Sequence, residues 1–156
     1  MPSQVTLSSA SPKHSKPPFS LRIATPLDAP QIAHVGSSTF TATFGWSLQP
    51  QDLATYLDDS YSIPAITSDI ENADMKFVVA FEPSAPSTVL GFAQLTSGSK
   101  EPVIDDEPGR FPEPVELQRF YVLVERAGQG IGKLLVREIE SMAREMGKRT
   151  LWLGVW

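Results

Sequence analysis

Three glycines at every second position, Gly128, Gly130 and Gly132, fall in the run Ala127-Gly128-Gln129-Gly130-Ile131-Gly132-Lys133. A strand-like stretch, Val115 to Val122, precedes them and an amphipathic helical pattern follows. Backbone N–H groups freed of side chains can close on an anionic oxygen, and a helix N-terminus adds the positive end of its dipole. The ligand such a turn favours is a phosphate or pyrophosphate. Lys133 either adds a charge or points to water. On the turn alone, a second reading stands level with this one: a tight turn that needs glycine for its dihedrals. No Gly-Lys-Ser/Thr follows the Walker spacing, and no third glycine completes a dinucleotide fingerprint at the right distance.

Other residue types that could do chemistry are scattered. Glu116, near the start of the strand, reads on its own as a solvated strand end. Gln118 points the same way on a period-two strand, so neither is expected in the core. Tyr121 is an acid by type, but its strand position favours a packed or cofactor-flanking ring. Asp105, Asp106 and Glu107 could attract a cation or form a solvated loop. Asp58 and Asp59 read as the polar end of a helix. Phe40, Phe44, Trp46 and Tyr56 read as ordinary core, and His34 has no visible partner.

The elements that must position these groups follow from periodicity. Phe19, Leu21 and Ile23 alternate with polar neighbours as a short strand. Thr25-Pro26-Leu27-Asp28 is a helix start, and that helix runs to Phe44-Gly45. Leu48 to Leu57 predicts a second helix, and Ile63 or Pro64 to Glu71 a third. Lys76–Phe81 and Val89–Leu95 read as antiparallel strands about the turn 82–87. Residues 98–114 read as a long loop. Val115–Leu123 is the central strand, and Ile131–Met146 a helix with its stripe at Ile131, Leu134, Leu135, Ile139 and Met142, capped by Gly147. Thr150–Trp156 predicts a last strand, with Trp152 and Trp156 inward.

The totals narrow the classes. The 156 residues suit one domain, and the formal net charge of −5 disfavours a nucleic-acid partner. With no cysteine and only His14 and His34, a disulfide is excluded and a metal site is not expected. No apolar run has the length of a membrane span, and the N-terminus lacks a signal core, so a cytoplasmic protein without membrane partners is expected. Residues 1–18, rich in Ser, Pro and Lys, read as a disordered tail. A transit peptide fits less well, since the segment has no arginine and no clear amphipathic pattern.

The combination of Arg119-Phe120-Tyr121-Val122, then Gly128 to Leu135, then Trp152-Leu153-Gly154-Val155-Trp156 resembles the GNAT family of acetyl-CoA-dependent N-acyltransferases from about Phe19 onward. Thr39 to Phe44 and the closing Trp-Leu-Gly-Val-Trp look like one branch, the PaiA kind of spermidine/spermine N-acetyltransferase. The resemblance implies an α/β fold: a mixed, mostly antiparallel sheet with helices on both faces. It assigns the pantetheine arm to the backbone of Phe120, Tyr121 and Val122, and the pyrophosphate to Gly128, Gln129, Gly130, Ile131, Gly132 and Lys133. Acetyl-CoA is the implied cosubstrate and a small, polyamine-like primary amine the implied acceptor. Glu116 sits where the family sometimes keeps a general base, and Phe40, Phe44, Trp46 and Tyr56 fall on the first helices, which form the family's acceptor wall. In the family an amine attacks the thioester directly, a carboxylate or water chain takes its proton, and a tyrosine commonly protonates the thiolate.

Two departures stand out. Ala127 replaces the usual Gln or Arg before the first glycine, with Arg126 one place earlier. The family also continues past the final Trp with an acidic residue, an Asn, a helix and a Phe-Tyr pair that supplies the usual acid. A GNAT domain over 19–156, incomplete at its C-terminus, is therefore expected. It should expose an edge and apolar surface, be poorly stable alone, or borrow a strand in a homodimer. The alternatives are a catalytically incomplete acetyl-CoA-binding or assembly module, and a protein or peptide N-acetyltransferase.

Overall fold

The structure, a computed structural model, describes residues 18–155. The expected tail, apart from Pro18, and Trp156 lie outside them. Five strands make one sheet in the order β1 (Ser20–Ile23), β2 (Met75–Phe81), β3 (Gly91–Thr96), β4 (Pro114–Val122) and β5 (Thr150–Trp152). All neighbours are antiparallel except β4 and β5, which run parallel. The fold is thus the α/β GNAT architecture with its mixed sheet.

Register assigns the two faces. Val79, Phe92 and Tyr121 lie across from one another, as do Phe77, Gln94 and Arg119. This face receives α1 (Ala29–Phe44), α2 (Pro50–Tyr61) and α3 (Ile63–Glu71). Val78, Ala93 and Phe120 form the opposite face with Ala80, Gly91 and Val122, under α5 (Ile131–Glu145). Gly91 permits that approach, because a Cβ there would sit 3.3 Å from Ile131 and 2.9 Å from the Tyr121 carbonyl.

α5 forms because its apolar residues recur at helical spacing. Ile131, Leu135, Ile139 and Met142 are buried, each contributing about 1.5–3 kcal/mol. It ends where Gly147 takes a positive φ of 74° and the Lys148 N–H reaches back to the Ala143 carbonyl at 2.9 Å. A turn of 3-10 helix, Pro26–Asp28, leads into α1. There the Asp28 carboxylate accepts from Arg22 at 2.6 and 2.7 Å and from the Thr25 N–H at 2.8 Å.

Several expectations need correction. Ile23 is exposed, not half of a buried stripe. α2 does not stop at Leu57 but continues to Tyr61, whose ring is buried between α1 and the sheet. The loop 98–114 contains a short helix, α4 (Pro102–Asp105). β5 ends at Trp152, which is half-buried, and Leu153 to Val155 pair with no strand among the described residues. Strict alternation in β4 fails as well. Gln94 faces Arg119 while Leu95 faces Leu117, so Gln118 is the extra residue of a bulge. No helix among the described residues is long and apolar enough to cross a membrane.

Candidate active site

β4 and β5 pair only from Pro114↔Thr150 to Glu116↔Trp152. Beyond that point β4 runs on through Leu117 to Val122 with no strand beside it on this edge among the described residues. The separation opens a cleft of about 570 Å³, lined by Leu117, Gln118, Phe120, Tyr121, Phe44, Val136 and the Leu153–Val155 segment. The bulge coincides with the start of the opening. A polar cluster holds it: Thr96 Oγ1 donates to Gln118 Oε1 at 2.6 Å, and Gln94 Nε2 donates to Thr96 Oγ1 at 3.0 Å and Gln118 Oε1 at 3.1 Å. An added residue twists a strand locally, which re-aims the residues that follow.

The glycine turn lies between β4 and the first turn of α5. Gly128 and Gly130 have φ values of +76° and +89°, which L side chains adopt only with strain. Gly132 is different, since its φ is not in that range and its dihedrals do not require glycine. A Cβ there would sit 3.6 Å from the Phe120 ring, narrowing the space between α5 and β4. Among the described residues, no backbone or side-chain acceptor meets the N–H groups of Gly128, Gln129, Gly130, Ile131, Gly132 or Lys133, and the first helical bond here is from Leu134 to the Gly130 carbonyl. Six successive donors at a helix N-terminus fit an anionic ligand such as a pyrophosphate. Lys133 is exposed. Arg126 is not a free charge at the turn, because its guanidinium pairs with Glu82 and lies 5.6 Å over the Phe19 ring.

On the opposite face, Tyr121 meets a group that the sequence did not single out. The Tyr61 hydroxyl lies 3.1 Å from the Tyr121 hydroxyl, and the rings meet edge to face at 6.1 Å. Tyr61 is only 3 % exposed and has no other partner among the described residues, so its hydrogen goes to Tyr121. The Tyr121 oxygen then accepts from Tyr61 and its own hydrogen has no acceptor among the described residues; Tyr121 itself is half-buried and lines the cleft. Burial pushes both phenols above their ordinary range; for Tyr121 the bond from Tyr61 pulls the other way.

Arg119 fixes this helical wall to the sheet. Its guanidinium donates to Asp69 at 2.7 Å, to the buried Gln94 Oε1 at 2.8 Å and to the Ser60 carbonyl at 3.1 Å, and it lies 5.1 Å over the Tyr61 ring. Glu116 is half-buried within the paired part of the seam, outside the cleft lining. His34 is exposed, and Asp58 and Asp59 end α2 on its exposed side. A readable signal for this wall was the charge pattern. Between Arg22 and Lys76 the chain carries Asp28, Asp52, Asp58, Asp59, Asp69, Glu71 and Asp74 but no lysine or arginine.

The geometry can be set beside known proteins. Residues 39–156 match the model of the acetyltransferase (GNAT) family. An uncharacterised N-acetyltransferase of Lactobacillus delbrueckii subsp. lactis is 28% identical over 131 residues, which is 83% of this chain and 70% of that protein. The PaiA N-acetyltransferase of Thermoplasma acidophilum, solved in complex with coenzyme A, superposes with a TM-score of 0.70 at 23% identity over 88% of this chain and 79% of its own. The ribosomal-protein-alanine N-acetyltransferase of Brucella melitensis gives 0.55 at 17% identity over 87% and 79%. A divided sheet, a glycine turn of unbonded amides and a family match over most of the sequence converge: the chain belongs to the GNAT family of acetyltransferases.

Proposed function

We propose that this acetyl-CoA-dependent N-acetyltransferase acts on a small primary amine, with a cationic, polyamine-like acceptor favoured. The run of unbonded amides from Gly128 to Lys133 beside the open edge of β4 is the observation that carries the reading. Those amides would hold the pyrophosphate, and the backbone of Phe120, Tyr121 and Val122 would lie along the pantetheine arm. The coenzyme A in the Thermoplasma PaiA protein supports this placement. Bound acetyl-CoA supplies a thioester carbonyl. The amine nitrogen bonds to that carbon, the carbon–sulfur bond breaks, and an amide and a thiol result, with one amine proton released and one proton taken up by sulfur.

Tyr121, a cleft-lining residue whose oxygen already accepts from Tyr61 and whose own hydrogen is uncommitted, is the candidate donor to the departing sulfur. Glu116 receives no role in this scheme. In the stretch between Arg22 and Lys76, Asp28 and Asp69 are paired with Arg22 and Arg119, while Asp52, Asp58, Asp59, Glu71 and Asp74 have no cationic partner among the described residues; this surplus of acid supports a cationic acceptor.

Calorimetric titration with acetyl-CoA, followed by a thiol-release assay over a panel of amines, tests the reading. Binding together with release driven by small amines is expected. Binding without turnover by any amine would assign a non-catalytic acetyl-CoA module instead. Acetylation of peptide N-termini alone would assign a protein acetyltransferase.

A further inference from the structure

A second cavity opens beside the cleft and shares Phe44 with it. It holds about 280 Å³ and is bounded by Phe40 and Phe44 on α1, by Ser47 and Leu48 in the connection, and by Asp52 and Tyr56 on α2. The three rings form one surface, with Phe40 centred 4.5 Å from Tyr56 and 5.2 Å from Phe44. Ser47 Oγ is already used, donating to the Phe44 carbonyl at 2.7 Å. Asp52 is the only carboxylate on the wall; it is exposed, and among the described residues nothing donates to it.

We infer that this cavity is a subsite for the second, non-reacting ammonium of the acceptor, held by the Asp52 carboxylate against the faces of Phe44 and Tyr56. The inference rests on the amine-acetyltransferase reading above and narrows its acceptor to a diamine or polyamine. Aromatic faces attract ammonium groups, and a carboxylate beside them adds a counter-charge. A purely apolar ligand would gain nothing from the exposed Asp52 carboxylate on this wall. An anionic one would meet a helical wall without a lysine or arginine. Because Phe44 borders both spaces, they adjoin, and we place the reacting nitrogen of one molecule at the cleft and its distal charge in the cavity. Asp52 also stands in the first turn of α2, where a carboxylate offsets the helix dipole, so its substitution needs a folding control.

The experiment compares a series of α,ω-diamines with n-butylamine on the full-length chain and on Asp52→Asn and Tyr56→Leu. Acetyl-CoA affinity, which depends on the other face of the sheet, reports that each variant is folded. In the parent enzyme the best diamine should have a kcat/KM about fivefold to tenfold above the monoamine, mainly through KM. That ratio should fall to about one in Asp52→Asn, and the parent ratio should shrink as ionic strength rises. A diamine preference that survives Asp52→Asn in a folded, acetyl-CoA-binding variant would overturn the subsite and leave the amine reading intact. No acetylation of any amine by the parent would overturn both.

Discussion

Gly36→Ala is the sharpest test of how the acceptor wall is packed, because two general rules predict opposite signs for it. Gly36 lies inside α1, where alanine should gain about 1 kcal/mol over glycine from helix propensity. A Cβ at Gly36 would fall 2.3 Å from Tyr61 Cδ1 and 2.4 Å from Cε1, well inside the ~3.5–4.0 Å of ordinary carbon contacts. Tyr61 has little room to retreat. It is 3 % exposed, with Phe40, Tyr56 and Tyr121 centred 6.0–6.2 Å away and Arg119 over its face. Overpacking costs typically ~1–3 kcal/mol, and the shifted ring would also strain its bond to Tyr121. The expected net effect is a loss of about 1–2 kcal/mol, or a Tm drop of about 2–8 °C for a chain of this size. Thermal unfolding followed by circular dichroism measures it. In a Tyr61→Leu background the penalty should disappear and the alanine should become stabilising. Equal or higher stability of Gly36→Ala in the parent would refute the packing described for Tyr61.

Arg119→Met strips a donor from the buried Gln94 Oε1 and the counter-charge from Asp69; a loss of about 3 kcal/mol is expected in urea unfolding, with KM for the amine raised more than Kd for acetyl-CoA, and a loss below ~0.5 kcal/mol would contradict it. The bonds from Arg22, opposed by burial and aided by the Thr25 N–H, hold the Asp28 carboxyl below its ordinary range. Its contribution should therefore be complete above the unfolded pKa of about 3.9 and vanish as pH falls through the lower folded value, so Asp28→Asn should be less stable than the parent at pH 7 and converge with it near pH 2. Gly130→Asn keeps a residue tolerant of positive φ and isolates the added side chain, whereas Gly130→Val adds strain of about 1–3 kcal/mol. Both should weaken acetyl-CoA binding in calorimetry, and unchanged affinity in both would contradict the cradle.

What could be read from the sequence depended on how local its cause was. α5 was legible because its stripe, its glycine start and Gly147 all lie within the segment. The β2–β3 pair was legible because buried apolar runs flank a turn. The bulge at Gln118 was not, since its cause is a polar cluster with Gln94 and Thr96 on the neighbouring strand. Nor was the length of α2. Asp58-Asp59-Ser60 reads as an ending, yet Tyr61 is drawn in by Gly36 and Tyr121, both distant in sequence. Trp152 to Trp156 alternates like a strand, but among the described residues pairing stops at Trp152, where β4 and β5 part. In the candidate site, the glycine turn was visible from residue types. The Tyr61–Tyr121 pair and the Asp52 cavity needed the helices to be placed.

The central claim concerns the six amides before Leu134, and amide NMR of the labelled full-length chain titrated with coenzyme A observes them directly. The account predicts that the largest saturable shifts fall on Gly128, Gln129, Gly130, Ile131, Gly132 and Lys133, with Phe120 to Val122 responding alongside, and that inorganic pyrophosphate moves the first group alone. Saturable binding that leaves residues 128–133 unshifted would contradict it.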